Sequence, residues 1–495
     1  MRAGGTLAPT SEGETGLTGA VAQQATSIRP PAPGPRGQGS KLASTVAARI
    51  VDDIARLGWP EGAVVGSEPE LLERYGVSRA VFREAVRLVE HQHVARMRRG
   101  PGGGLVVTAP SMDSVADAVS VYLFYVGGEI DEMFEARLAV EEAAAGLAPG
   151  RLGDAQADQL RDLVAAEGEG RVRDHRVLHR LVASITGNPA LGFFVDLLNR
   201  VTLLYLPRGA RLSQATLAES ARAHATIAEA ILAGDEAGAR RRMRRHLEAE
   251  AEYLRARRPS RRRLADLSDA VGRSDKRAEA TARLIFAEVT AAGWPVGDVL
   301  GSEADLMARY DVSRAVLREA VRVLEHHQVA CMRRGPGGGL VVAEPGVEAT
   351  TDAVALYVDR RGIGAHHLFE VRGAVEMAVL DRVMADLDGG GVARLAGALE
   401  TERSVSQEEF LVVGHDLHNV LAEVSGNRVL ELLTLVLTRL TLLHSAAPDH
   451  PPDQLPTGDA LEVHQRIVDA IVAGDREVAR RRMRRHLDAL VPWVR

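Results

Sequence analysis

At 495 residues, with 46% hydrophobic and 26% charged residues, the chain is too long for one hydrophobic core and too apolar for disorder, so about three or four domains are expected. The net charge of −6 excludes a protein that coats nucleic acid by bulk charge, and a single cysteine, Cys331, excludes an intrachain disulfide. No segment reads as a signal sequence or is long and apolar enough to span a bilayer, so no membrane partner and a cytoplasmic location are expected.

Residues 1–40 are rich in Gly, Pro, Ala, Ser and Thr without apolar periodicity and read as a disordered tail. Beyond it the sequence repeats itself. GSEPELLERYGVSRAVFREAVRLVEHQHVARMRRGPGGGLVV from Gly66 returns 235 positions later as GSEADLMARYDVSRAVLREAVRVLEHHQVACMRRGPGGGLVV from Gly301. AGDEAGARRRMRRHL from Ala233 returns 240 positions later as AGDREVARRRMRRHL from Ala473. A unit this long holds its own cores, so the chain is a duplicated two-domain unit rather than a solenoid.

The first unit, 41–110, opens its motif with Ser67 as helix N-cap and Glu70 three residues on, a capping box. Gly76 then permits a positive φ, and Ser78 caps a second helix. Asp311 replaces Gly76 in the second copy, a residue type that visits left-handed conformations readily. Along the second helix Val81, Ala85 and Leu88 form the expected packing row, and Arg79, Arg83 and Arg87 a separate cationic one; Val316, Ala320, Val323 and Arg314, Arg318, Arg322 correspond. VARMRRGPGGGLVV reads as two short strands with Arg98, Arg99 and Gly100 at the tip. From Arg74 to Arg99 seven Arg stand against two Glu, a local positive patch in an acidic chain, as docking on DNA requires. Taken alone, an Arg row is usually a solvated face; the capped helix, turn, Arg-faced helix and basic hairpin together, present twice, point to DNA.

The run SE..L...YGVSRAV.REAVR..E with its RRGPGGG hairpin resembles the GntR family of winged helix-turn-helix regulators, twice over. The resemblance implies operator contacts from Ser78, Arg79, Arg83 and Gly100, and from Ser313, Arg314, Arg318 and Gly335; Arg99 and Arg334 in the basic wings are further candidates for DNA contact. Pro69 and Ala304 stand where that family often carries a further Arg, so operator sequence or affinity is expected to differ.

Residues 114–255 and 350–495 read as helical throughout, separated by a basic linker at 256–275 and a second winged unit at 276–345. MFEARLAVEEAAAGLA and LFEVRGAVEMAVLDRV resemble the opening helix of the FCD ligand-binding domain of FadR-type regulators. His224 lies ten residues before Gly234 and His246 twelve after it, so an antiparallel hairpin brings them to similar height; His464 and His486 repeat this around Gly474. With His179 and His418 from another helix, three imidazoles converging make a site for a divalent transition metal such as zinc, with an open position for water or ligand. The bland alternative for a lone helical histidine is a satisfied core residue; here the spacing recurs and matches the FCD metal-binding histidines. That family usually places Asp four residues before the first His, where this chain has His175, itself a competent ligand, and Gly414, which is not; metal is therefore expected in copy one more than in copy two. Arg137 and Arg372, in the R..VE motif, either meet an effector carboxylate or form i, i+4 ion pairs with Glu141 and Glu376.

The expected fold class is mainly α: two winged helix-turn-helix domains with small β-hairpin wings, each followed by an all-α FCD-like bundle. The resemblance implies a regulator of transcription, not an enzyme, working as a covalent pseudo-dimer, with further homo-oligomerisation open. Its expected partners are double-stranded operator DNA, in a nucleoid-associated setting, and a small carboxylate effector. A metal-dependent hydrolase built on the three-His site is the alternative, and a structural nucleoid protein a third reading.

Overall fold

A computed structural model describes residues 38–91, 94–98, 100, 102–108, 111–172, 174–205, 213–256, 277–333, 335, 337–405, 416–445 and 457–491. Most of the expected tail and linker, together with Arg99, Arg334 and Gly414, lie outside the described residues.

The first winged unit runs α1 (Gln38–Arg56), β1 (Val64–Gly66), α2 (Glu68–Tyr75), α3 (Arg79–His91), β2 (Ala95–Arg98) and β3 (Gly104–Val107). α1 starts within the last three positions assigned to the tail, and its apolar face, Val46, Ala47, Ile50 and Ile54, closes the core against α3. The packing row of α3 differs from the expected one. Phe82, Ala85, Val86 and Val89 are buried, while Val81 and Leu88 are only half-buried. The helix is turned by one residue because α1, which carries no turn signal of its own, covers the Phe82 side. α2 ends as expected, with Gly76 at φ 63° and its counterpart Asp311 at φ 49°.

The wing holds three strands, not two, in the antiparallel order β1-β3-β2. β1 is too short to show an alternating pattern. Its approach depends on Gly104, where a Cβ would lie 2.4 Å from the Gly66 carbonyl oxygen.

Among the described residues seven α-helices follow: α4 (Met112–Tyr125), α5 (Ile130–Arg151), α6 (Asp154–Gly168), α7 (Arg176–Ile185), α8 (Pro189–Thr202), α9 (Gln214–Leu232) and α10 (Glu236–Ala256). The second copy repeats the plan. Its winged unit is α11 (Arg277–Ala291), β4 (Val299–Gly301), α12 (Glu303–Tyr310), α13 (Arg314–His326), β5 (Ala330–Arg333) and β6 (Gly339–Val342). Its bundle is α14 (Val347–Arg360), α15 (Ala365–Asp386), α16 (Gly389–Ser404), α17 (Asp416–Val424), α18 (Arg428–Ser445), α19 (Thr457–Val472) and α20 (Arg476–Leu490). Among the described residues no helix is long and apolar enough to cross a membrane.

The two bundles share one continuous apolar core, with α5 packed on α15. Polar contacts at this seam come in matched pairs. Asn188 caps α8 and its amide donates to the His367 carbonyl (2.9 Å) and to Glu370 (2.8 Å); Asn427 does the same to Glu132 (3.2 Å) and Glu135 (2.8 Å). Two further bridges, Arg151 with Glu370 and Arg428 with Glu132, cross the same seam between positions that are not equivalent in the two copies.

The winged units are crossed over. Val121 of α4 joins the core of the second winged unit, and Phe124 and Tyr125 lie against Trp294, with ring centroids 6.0 and 5.6 Å away. Reciprocally, Leu356 of α14 enters the core of the first, and Arg360 lies 5.1 Å over the Trp59 ring while donating to the Thr108 carbonyl at 2.8 Å. Each reading unit thus rests on the opposite copy's bundle.

Candidate metal centres and nucleic-acid interface

The recognition helices α3 and α13 begin at their serine caps, with Val81 N–H donating to Ser78 Oγ and Val316 N–H to Ser313 Oγ, both at 3.4 Å. Arg79 and Arg83 stand in the first turns, about two-thirds exposed, and both lean on Glu68 (3.4 and 3.3 Å). Arg314 and Arg318 lean on Glu303 at 3.7 and 2.9 Å. Exposed pairs of this kind are worth at most about 1 kcal/mol, so the guanidinium groups are available to a phosphate or a guanine edge. Gly100 and Gly335 sit exposed at the wing tips with φ 100° and 102°, values that favour glycine. Arg98 is tied back to the tip by donating to the Gly102 carbonyl at 2.8 Å.

In the first bundle, α7, α9 and α10 bring His179, His224 and His246 together, all buried. His246 Nε2 lies 3.2 Å from both His179 Nε2 and His224 Nε2. The backs of two rings face carboxylates: His179 Nδ1 contacts Glu141, and His224 Nδ1 lies 2.8 Å from Glu167. A carboxylate fixes the proton on Nδ1 and leaves the Nε2 lone pair facing inward. In the second bundle His418, His464 and His486 do the same, with Nε2 separations of 3.1 and 3.2 Å and with Glu376 (2.5 Å) and Glu402 (2.9 Å) behind two rings.

Lone pairs of neutral imidazoles repel at this spacing unless a cation stands between them. Bonds of about 2.0–2.1 Å from nitrogen to a divalent ion require nitrogen separations of roughly 3.0–3.4 Å, which the clusters match. Both triads therefore fit such an ion. Burial, then neighbouring imidazoles or other charges, holds His224 and His418 below the ordinary pKa, and His246 and His486 well below it. Neutral rings are what a metal needs.

A pH dependence follows. Groups depressed on folding favour the folded state above the unfolded pKa of about 6.5 and withdraw that support as pH falls. The metal-free protein should therefore melt at clearly lower temperature at pH 5.5 than at pH 7.5, and zinc should move the loss to lower pH. Calorimetry in the two buffers checks this; an unchanged melting temperature would contradict it.

His175 does not join the three. It is the N-cap of α7, one turn before His179, and its Nε2 faces Glu250 Oε1 at 3.8 Å instead of the cluster. Neighbouring Asp174 is held by Arg176 and Arg180. Arg137 and Arg372 point inward and are fully buried, and both form the i, i+4 pair, with Glu141 at 2.8 Å and Glu376 at 2.5 Å. Each nevertheless keeps a buried Nη2 with no hydrogen-bond partner. Burial opposes ionisation of Glu141 and Glu376, yet the arginine and histidine beside each hold both below the usual carboxylate range.

Glu167, Glu250 and Glu402 went unnoticed in the sequence. The first and last sit on helices far from their histidines along the chain; Glu250, four residues after His246, had a legible helical spacing.

The FCD domain family matches residues 132–249 and 367–489, and so covers all six clustered histidines. The HTH-type transcriptional repressor NanR of Citrobacter rodentium is 26% identical over 205 residues, covering 39% of this chain and 76% of that protein. The Uxu operon regulator of Haemophilus influenzae is 24% identical over 217 residues, covering 42% and 77%. Among solved structures, a GntR protein of Streptococcus agalactiae aligns with TM-score 0.35 and 22% identity, over 43% of this chain and 99% of that one.

Proposed function

The chain belongs to the GntR family of transcriptional regulators, in its FCD-type branch, and from that premise we propose that its hold on operator DNA is set by a small carboxylate effector bound in metal-holding helical bundles. The single observation that carries the reading is the inward convergence of three Nε2 atoms in each bundle, backed by buried carboxylates. When bound, the ion would supply a Lewis-acid position for one effector oxygen. The unpartnered Nη2 of Arg137 or Arg372 suits a second effector oxygen, while the paired glutamate keeps each guanidinium oriented.

On the DNA side, Ser78, Arg79, Arg83 and Gly100, with Ser313, Arg314, Arg318 and Gly335, are proposed to meet a two-fold or imperfectly two-fold operator. Arg99 and Arg334 belong to the same proposal on sequence grounds. The crossed packing supplies a route for control. A shift of α4 moves the second reading unit, and a shift of α14 the first, by way of Trp294 and Trp59. The effector's influence on DNA affinity equals its differential affinity for the two arrangements.

The hydrolase alternative is set aside: the matched relatives are named as regulators, and Glu250, a carboxylate beside the first cluster, is Leu490 in the second.

Selection of duplexes from a random pool at 150 mM salt, repeated with zinc and with chelator, tests the proposal. One enriched imperfect palindrome whose affinity changes at least tenfold between the two conditions is expected. Equal enrichment of all duplexes would sink the operator reading, and zinc-independent affinity the metal-linked one.

A further inference from the structure

The two sensor sites are not equivalent, and the difference is one buried charge. Glu250 lies four residues after His246 on α10; Leu490 occupies the same place after His486 on α20. Glu250 Oε1 accepts from Arg137 Nη1 at 3.0 Å, on the side where His175 also stands. Arg137 is therefore bound by two carboxylates, Glu141 and Glu250. In copy two, Arg372 Nη1 donates to the neutral Thr441 hydroxyl at 3.1 Å, and Leu490 packs among apolar side chains.

Formal charges make the consequence plain. Around the first cluster Arg137 stands against Glu141, Glu167 and Glu250, which leaves −2, and a divalent ion brings the site to zero. Around the second, Arg372 stands against Glu376 and Glu402, which leaves −1 among the buried groups, with Asp416 exposed to solvent beside Glu402, and the same ion leaves one buried positive charge unmatched. A buried unmatched charge is costly and recruits a counterion.

We propose that copy two is the site that takes a singly charged carboxylate, whereas in copy one the buried Glu250 carboxylate already balances the ion and disfavours a second anion. This rests on reading the bundles as metal-and-carboxylate sensors. The ranking that His175 suggests concerns the metal; for the carboxylate, the extra acidic partner, not the extra imidazole, separates the copies.

The test uses the full chain loaded with cobalt(II), whose visible bands respond to a new ligand, and sodium acetate as the probe at constant ionic strength. In the wild type, half of the cobalt signal should shift. In Leu490→Glu the response should vanish or weaken at least tenfold, and in Glu250→Leu both cobalt ions should respond. Should Leu490→Glu not fold, single-site chains give the same reading: His246→Ala keeps the acetate response and His486→Ala loses it. A wild type in which both ions respond, a response that follows the first site, or a second site that takes no cobalt would overturn the inference while leaving carboxylate sensing intact. No response in any chain, Glu250→Leu included, would bring down the sensor reading itself and this inference with it.

Discussion

Alanine in place of both His246 and His486 should leave a chain that holds no tightly bound metal, whereas either change alone should leave one ion of two. Each residue supplies the Nε2 that lies within 3.2 Å of its two neighbours, so its loss reduces a three-nitrogen site to two. Removing only a supporting outer partner of a metal ligand weakens binding about 10- to 100-fold, so losing a ligand itself should cost at least ~100-fold. Stability should follow. Zinc at a hundredfold excess over its dissociation constant stabilises a site by about 2.7 kcal/mol, and that increment should disappear from the variant's melting curve. Elemental analysis after gel filtration, with calorimetry before and after chelation, measures both. Two ions per chain retained by the double variant would refute the assignment.

The second large effect concerns DNA. Arg83→Ala with Arg318→Ala should weaken operator binding by about 2–6 kcal/mol, since each good guanidinium contact to a guanine edge is worth roughly 1–3 kcal/mol. The fold should be indifferent, because both side chains are about two-thirds exposed and lean on Glu68 and Glu303 at the surface. Fluorescence anisotropy on the selected operator, at several salt concentrations, separates two forms of the result. A loss confined to particular operator positions marks base reading, whereas a uniform loss with a shallower salt slope marks phosphate contact. Arg87→Ala with Arg322→Ala, further along the same faces and paired with Glu84 and Glu319, is the control expected to cost less. Equal losses from both pairs would remove the distinction between the first turns of the helix and the rest.

The histidine spacing illustrates how far local sequence reaches. A hairpin of two helices around a glycine turn is a short-range object, so the placement of His224 beside His246 follows from counting turns. The third ring needed family likeness to be chosen, and the carboxylates behind the rings needed the fold. Glu167 stands 57 positions before His224 and Glu402 62 before His464, and no periodicity links residues that meet only when α6 packs on α9, or α16 on α19. His175 shows the opposite limit. Its spacing from His179 is helical, yet as the N-cap of α7 it stands with its ring 3.8 Å from Glu250.

Whatever rests on neighbours along the chain is legible before any folding: the duplication, the capped turns at Gly76 and Asp311, the arginine rows, the glycine-tipped wings and the helical hairpins that carry paired histidines. Only the tertiary structure decided that the two bundles share one core and that each reading unit sits under the other copy's first sensor helix. It also decided that one buried arginine is shared by two carboxylates while its twin is not. The physical reason is range. Backbone conformation and amphipathic period are set within a few residues, whereas burial and charge balance are sums over groups that come from distant parts of the chain and acquire values only once those parts are packed together.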